Sequence, residues 1–115
     1  VKSLVQQCDV LAIEEAQFFK KNILLLIHYA QSLNKRILCG GLDLDCLGQP
    51  YGYMPHLLAM ADTVTKLTSI CAVCKEEATR TQAKFKIIDK DVSECVGGAD
   101  MYEPRCCTCW NPQTL

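Results

Sequence analysis

Two Cys-x-x-Cys pairs, Cys71-Ala72-Val73-Cys74 and Cys106-Cys107-Thr108-Cys109, stand thirty-one residues apart in a chain of 115. Each such turn sets two sulfurs on the same side of a tight loop, near enough to chelate one ion. Two turns together complete the tetrahedron that structural zinc prefers, with no position left for water. The gap exceeds the shortest zinc-ribbon spacings, so something larger than a minimal knuckle lies between the pairs. Cys107 falls inside the second pair, and pairing by spacing selects Cys71, Cys74, Cys106 and Cys109 as ligands. The plainer alternatives are two local redox pairs or unrelated buried thiols.

A chain of this length can bury one modest core, which a metal clip would reinforce. Half of its residues are apolar and 22% are charged, an ordinary globular balance. A net charge of −1 gives no broad electrostatic grip on nucleic acid or anionic lipid. The longest apolar stretch, residues 23–27, is far too short to span a bilayer. Nine cysteines, an odd number, and no leader-like segment fit reduced thiols, metal and a cytoplasmic setting better than a secreted disulfide framework. The chain opens on Val1-Lys2-Ser3 without an initiator methionine, as expected of a piece of a longer protein.

Val10-Leu11-Ala12-Ile13 reads as a buried strand ending at two acids. Phe19, Ile23, Leu26, Ile27, Ala30 and Leu33 recur at steps of three and four, predicting a helix over residues 20–34 that Asn34-Lys35 ends. Arg36-Ile37-Leu38-Cys39 begins a second buried strand, so the three elements form the βαβ unit of a parallel sheet. Pro55 suits the first turn of a short helix over residues 54–61, and residues 64–70 read as a further strand. Beyond Cys71, Ala83, Phe85 and Ile87 alternate with Gln82, Lys84 and Lys86, a half-buried antiparallel pattern. The expected fold class is therefore α/β over residues 1–70, followed by a small β-rich zinc lobe over residues 71–115.

An apolar strand followed by Glu14-Glu15 is similar to the second acidic motif of P-loop phosphotransferases, where one carboxylate sits near Mg²⁺ and its neighbour orients or deprotonates a nucleophile. An acidic pair at a helix start also complements the helix dipole, and that structural role stands beside the catalytic one. The following motifs come in a distinctive order. They are Glu14-Glu15-Ala16-Gln17-Phe18-Phe19, Gly41-Leu42-Asp43 with Pro50-Tyr51-Gly52, Lys66-Leu67 before the first Cys pair, and Gly97-Gly98-Ala99-Asp100-Met101-Tyr102 before the second. Over essentially the whole chain this resembles the C-terminal half to two thirds of the cytosolic-type (type II) thymidine kinases, whose zinc lobe folds a lasso-like loop over the nucleoside.

The resemblance implies part of a P-loop-type parallel sheet with helices, structural Zn²⁺ on the four cysteines, and Mg²⁺ with ATP. It implies Glu15 as the base that takes the proton of the deoxyribose 5′-hydroxyl while that oxygen attacks the γ-phosphate of ATP, giving dTMP. Glu14 occupies the place of a magnesium-associated aspartate, one methylene longer. Phe18, Leu42, Tyr51 and Tyr102 would contact the nucleoside, and Ser93 and Cys95 lie in the lasso, which binds thymine mainly through backbone groups. Asp45-Cys46-Leu47 stands where the family often has an aromatic. A cytoplasmic homotetramer serving DNA synthesis, inhibited by dTTP and binding neither nucleic acid nor membrane, would follow from the same resemblance.

Phe18 and Tyr51 also read as plain core aromatics, and Gly97-Gly98 as a turn. His28 and His56 lack partners at ligand spacing, Asp43 and Asp45 read as solvated loop acids, and Cys8, Cys39, Cys46, Cys95 and Cys107 as incidental thiols. No G-x-x-x-x-G-K-[ST] phosphate loop occurs in the 115 residues, so the segment by itself is expected to be inactive. A non-catalytic zinc-ribbon binding module is the alternative, against which the near-neutral charge weighs. A fragment of another P-loop ATPase is a third reading, which the Gly-Gly-Ala-Asp-x-Tyr motif disfavours.

Overall fold

The computed structural model describes residues 1–85 and 98–112. The chain forms two compact units, Val1–Asp43 with Gly52–Asp62, and Leu44–Tyr51 with Thr63–Leu115. The second unit thus takes in the 44–51 loop as well as the residues from Thr63 onward. No described helix is long and apolar enough to cross a membrane.

The first unit is mixed α/β. Helix α1 (Lys2–Gln7) leads into strand β1 (Val10–Ile13), a 3₁₀ turn (Ala16–Phe18), helix α2 (Asn22–Ser32) and strand β2 (Arg36–Cys39). The two strands pair in parallel, with Val10 opposite Arg36 and Ile13 opposite Cys39. Ile23, Ile27 and Ala30 of α2 form its buried stripe, joined in the core by Val5, Ile13 and Ala16. The helix ends in a Schellman arrangement. Asn34 takes φ 55°, its N–H donates to Gln31 O, and Lys35 N–H donates to Ala30 O at 3.0 Å. Phe19 and Leu33, expected on the helix's inner face, lie outside its ends and are exposed.

The strands are less buried than their composition predicts. Val10, Ala12, Leu38 and Cys39 are exposed, because a pair of strands covered on one side buries only alternate residues, here Leu11, Ile13 and Ile37. Helix α3 (Met54–Met60) carries Pro55 in its first turn and buries Met54 and Leu57.

Among its described residues the second unit contains two small antiparallel strand pairs. Strand β3 (Ser69–Ile70) pairs with β4 (Glu77–Ala78), and β5 (Arg80–Ala83) with β6 (Tyr102–Arg105). The expected strand over residues 64–70 is confined to its last two positions. Every residue from 61 to 70 is exposed, Leu67 by 88%, and among the described residues only Ser69 and Ile70 of this run pair with another strand. The 82–87 alternation also breaks at its start, since Gln82 and Ala83 are both buried. Gln82 turns inward because its amide is consumed: Nε2 donates to Asn111 O (2.8 Å) and Ala83 O (3.0 Å), and Oε1 accepts from Asn111 N (2.8 Å).

Cys46 and Ala83 form the centre of a small apolar cluster with Leu47, Phe85 and Tyr102. Asp45 holds the 44–51 loop, its Oδ1 accepting from Leu47 N and Gln49 N at 2.9 Å, so its carboxylate is committed to the turn. Gly48, at φ 74°, lies against Trp110, where a Cβ would come within 2.8 Å of Cη2. Trp110 in turn donates from Nε1 to Thr81 O.

Candidate active site and metal centre

Because β1 and β2 run in parallel, the chain leaves both at the same end. Glu14-Glu15 follow β1 and Gly40-Gly41-Leu42 follow β2, and these five residues line an open cleft of about 350 Å³. Such crevices outside strand carboxyl ends are where open parallel α/β sheets take ligands. The ladder continues past the strands, with Gly40 N donating to Ile13 O and Ala16 N to Gly40 O, each at 2.9 Å.

Glu15 adopts a left-handed backbone, φ 52° and ψ 46°. For a residue with a Cβ this costs about 1–3 kcal/mol and persists only where the surroundings enforce it. Its side chain makes no cap bond to the 3₁₀ turn it precedes, and α2 has no acid in its first turn. The acidic pair therefore does not serve the helix dipole of α2. Instead Glu15 Oε2 accepts a 2.6 Å hydrogen bond from Gln17 Nε2.

Of the expected nucleoside contacts, Leu42 lies at this cleft, 46% exposed, and Phe18 is half-buried in the same unit. Tyr51 and Tyr102 belong to the second unit. Tyr51 is buried to 2% exposure, and Tyr102 meets Phe85 edge-on at 5.6 Å and 71°. Ser93 and Cys95 lie outside the described residues. The cleft thus brings together Glu14, Glu15 and Leu42. Sequence reasoning gave Gln17 no role of its own. The available signal was a polar residue held between Ala16 and Phe18 directly after the acidic pair.

In the second unit the two Cys pairs build matching turns. Lys75 N donates to Cys71 O (3.1 Å) and Trp110 N to Cys106 O (2.9 Å), each closing the loop four residues on. Lys75 adopts φ 67° to leave the first turn, and Cys109 N donates to Cys106 Sγ. Ala72 N donates to Pro104 O, tying the first turn to β6. Arg105 pairs with Glu103 and donates from Nη1 to Cys109 O, bracing the second turn.

The outcome is that the sulfurs of Cys71, Cys74, Cys106 and Cys109 all lie within 4.8 Å of one another, a cluster that could hold a metal ion. Cys74 and Cys106 Sγ are 3.7 Å apart. A tetrahedron with metal–sulfur bonds of about 2.3 Å has edges of about 3.8 Å, so the donor set fits such an ion in chemistry and in scale. The backbone N–H of Cys74 lowers the Cys71 thiol to about 6, whereas hydrogen bonding with the Cys106 sulfur pushes Cys109 up to about 12. Thiols this close compete for the same protons, and an ion would displace them all. Cys107 is exposed and outside the cluster.

A parallel strand–helix–strand unit with carboxylates at its strand ends, together with a four-thiolate cluster, marks an α/β protein with a ligand cleft and a candidate metal centre. The thymidine kinase family profile matches residues 1–110. The chain belongs to that family. It is 42% identical over 109 residues to a thymidine kinase of Onion yellows phytoplasma (strain OY-M), covering 90% of this chain and 51% of the relative. It is 41% identical over 112 residues to one of Coprothermobacter proteolyticus, covering 92% and 55%. The chain thus spans about half the length of these curated relatives.

Proposed function

We propose that the chain is the C-terminal part of an ATP-dependent thymidine kinase, which transfers the γ-phosphate of ATP to the 5′-hydroxyl of thymidine. The observation that carries this reading is the family match over residues 1–110, reinforced by a carboxylate that a left-handed backbone sets at a strand-end cleft. In it, Glu15 takes the hydroxyl proton as the oxygen attacks. Phosphoryl transfer asks little covalent chemistry of the protein, so positioning and charge stabilisation carry most of the rate. Magnesium, when bound with ATP, neutralises charge developing on the phosphate oxygens, and Glu14 is the carboxylate assigned to its neighbourhood.

Phe18, Leu42, Tyr51 and Tyr102 are assigned to the nucleoside, with the 93–95 segment closing on the base. The 3.7 Å sulfur spacing and the all-thiolate donor set support structural zinc on Cys71, Cys74, Cys106 and Cys109. A cytoplasmic homotetramer inhibited by dTTP completes the reading. The complete protein, incubated with thymidine and γ-labelled ATP, should yield labelled dTMP with a requirement for Mg²⁺. Binding of thymidine without any transfer would refute the catalytic reading.

A further inference from the structure

We infer that Gln17 is the positioning residue of this site, one amide that sets the Glu15 carboxylate with its nitrogen and the Leu42 backbone with its oxygen. Gln17 is 3% exposed, and it and Gln82 are the buried polar side chains among the described residues. A buried amide is tolerated only when both its ends are used. Nε2 donates to Glu15 Oε2 at 2.6 Å, and Oε1 accepts from Leu42 N at 3.1 Å. The reverse orientation would set oxygen against carboxylate and N–H against N–H, so the two partners dictate which way the amide points.

Its seat is made by what is absent around it. A Cβ on Gly41 would lie 2.6 Å from Gln17 Oε1, and one on Gly52 would lie 2.7 Å from Gln17 O. Gly52 also adopts φ 52°, a conformation that strains any side chain. Two separate segments, the exit of β2 and the entry to α3, therefore close around one residue of the 3₁₀ turn. The consequence falls on Glu15. Its exposed carboxylate would otherwise sample several rotamers, and the Gln17 bond fixes one oxygen and with it the plane of the other. Leu42, on the opposite lip of the cleft, is held by the same side chain, so the two lips share one reference point.

This inference rests on Glu15 being the base, and the two can fail separately. In the complete protein, Gln17→Glu keeps an acceptor for Leu42 N but replaces the neutral donor to Glu15 with a second carboxyl, which either repels the Glu15 carboxylate or shares a proton with it and in both cases leaves Glu15 a poorer base. It should lower kcat by about 10–100-fold, the scale of a misplaced reacting group, with the thymidine KM within about twofold. Gln17→Met, which loses both ends, should lower kcat similarly and also raise that KM. In a Glu15→Gln background, Gln17→Glu should lower kcat no further, since its effect runs through the carboxylate. Independent, multiplicative losses would overturn the inference while leaving the base assignment intact. Near-normal turnover in Glu15→Gln would instead remove the base assignment. Loss of folded protein in both Gln17 variants, judged by circular dichroism, would make Gln17 a core residue only and would also overturn it.

Discussion

The sulfurs of Cys74 and Cys106, one from each Cys pair, stand 3.7 Å apart, close to the edge of a tetrahedron built around one thiolate-bound ion. Thirty-two positions separate the two residues in sequence, and the link between them passes through β4, β5 and β6. The cluster therefore clamps the second unit's strands rather than a single turn.

Metal analysis of the purified, reduced protein should return one zinc per chain. Binding energy at a structural site is folding energy, so Cys74→Ser should lower the melting temperature of the second unit far more than Cys8→Ser. Each ligand must lose a proton to bind, so lowering the pH should weaken metal affinity and raising it should strengthen it. A Cys71–Cys74 disulfide in the reduced protein would contradict this assignment.

Glu15→Gln in the complete protein should cut turnover by about 10²–10⁴-fold, the usual worth of a general base, while thymidine affinity changes little. Glutamine keeps the side chain's shape but cannot accept the proton. Glu14→Gln should raise the concentration of Mg²⁺ needed for half-maximal rate. Steady-state kinetics with thymidine-binding calorimetry separates these outcomes.

The backbone at Glu15 allows a second, opposite test. Glu15→Gly and Glu15→Ala both lose the bond to Gln17 Nε2, and only glycine adopts φ 52° without the penalty a Cβ incurs, so the Gly variant should be more stable than the Ala variant by about 1 kcal/mol while both lose turnover. Denaturant unfolding measures the first effect and the kinase assay the second. Equal stability of the two variants would show that the conformation is not strained.

Gln82→Leu should destabilise the second unit by about 1–3 kcal/mol, because it leaves Asn111 N and O without their buried partner. The amide hydrogen of Asn111 should then exchange faster in deuterium experiments. Unchanged exchange would mean that the Gln82 bond does not protect this amide.

The four clustered cysteines, the strand–helix–strand order and the Asn34 helix end were legible in the sequence because each depends on local spacing or on the steric preference of one residue. A Cys-x-x-Cys turn needs no distant partner to declare itself, and Ile23, Ile27 and Ala30 announce their face by period alone. The roles of the two buried glutamines could not be read this way. Gln17 meets Leu42 twenty-five residues later and Gln82 meets Asn111 twenty-nine later, separations that no periodic pattern contains. The short extent of the strand within residues 64–70 was hidden for the same reason, since a run becomes strand only where a second chain segment pairs with it. The sequence by itself determined which cysteines cluster and the strand–helix–strand order that sets Glu14-Glu15 at a strand end. Tertiary structure decided the left-handed turn that carries Glu15 and the amide that holds its carboxylate, because both arise from contacts that exist only once distant segments have packed.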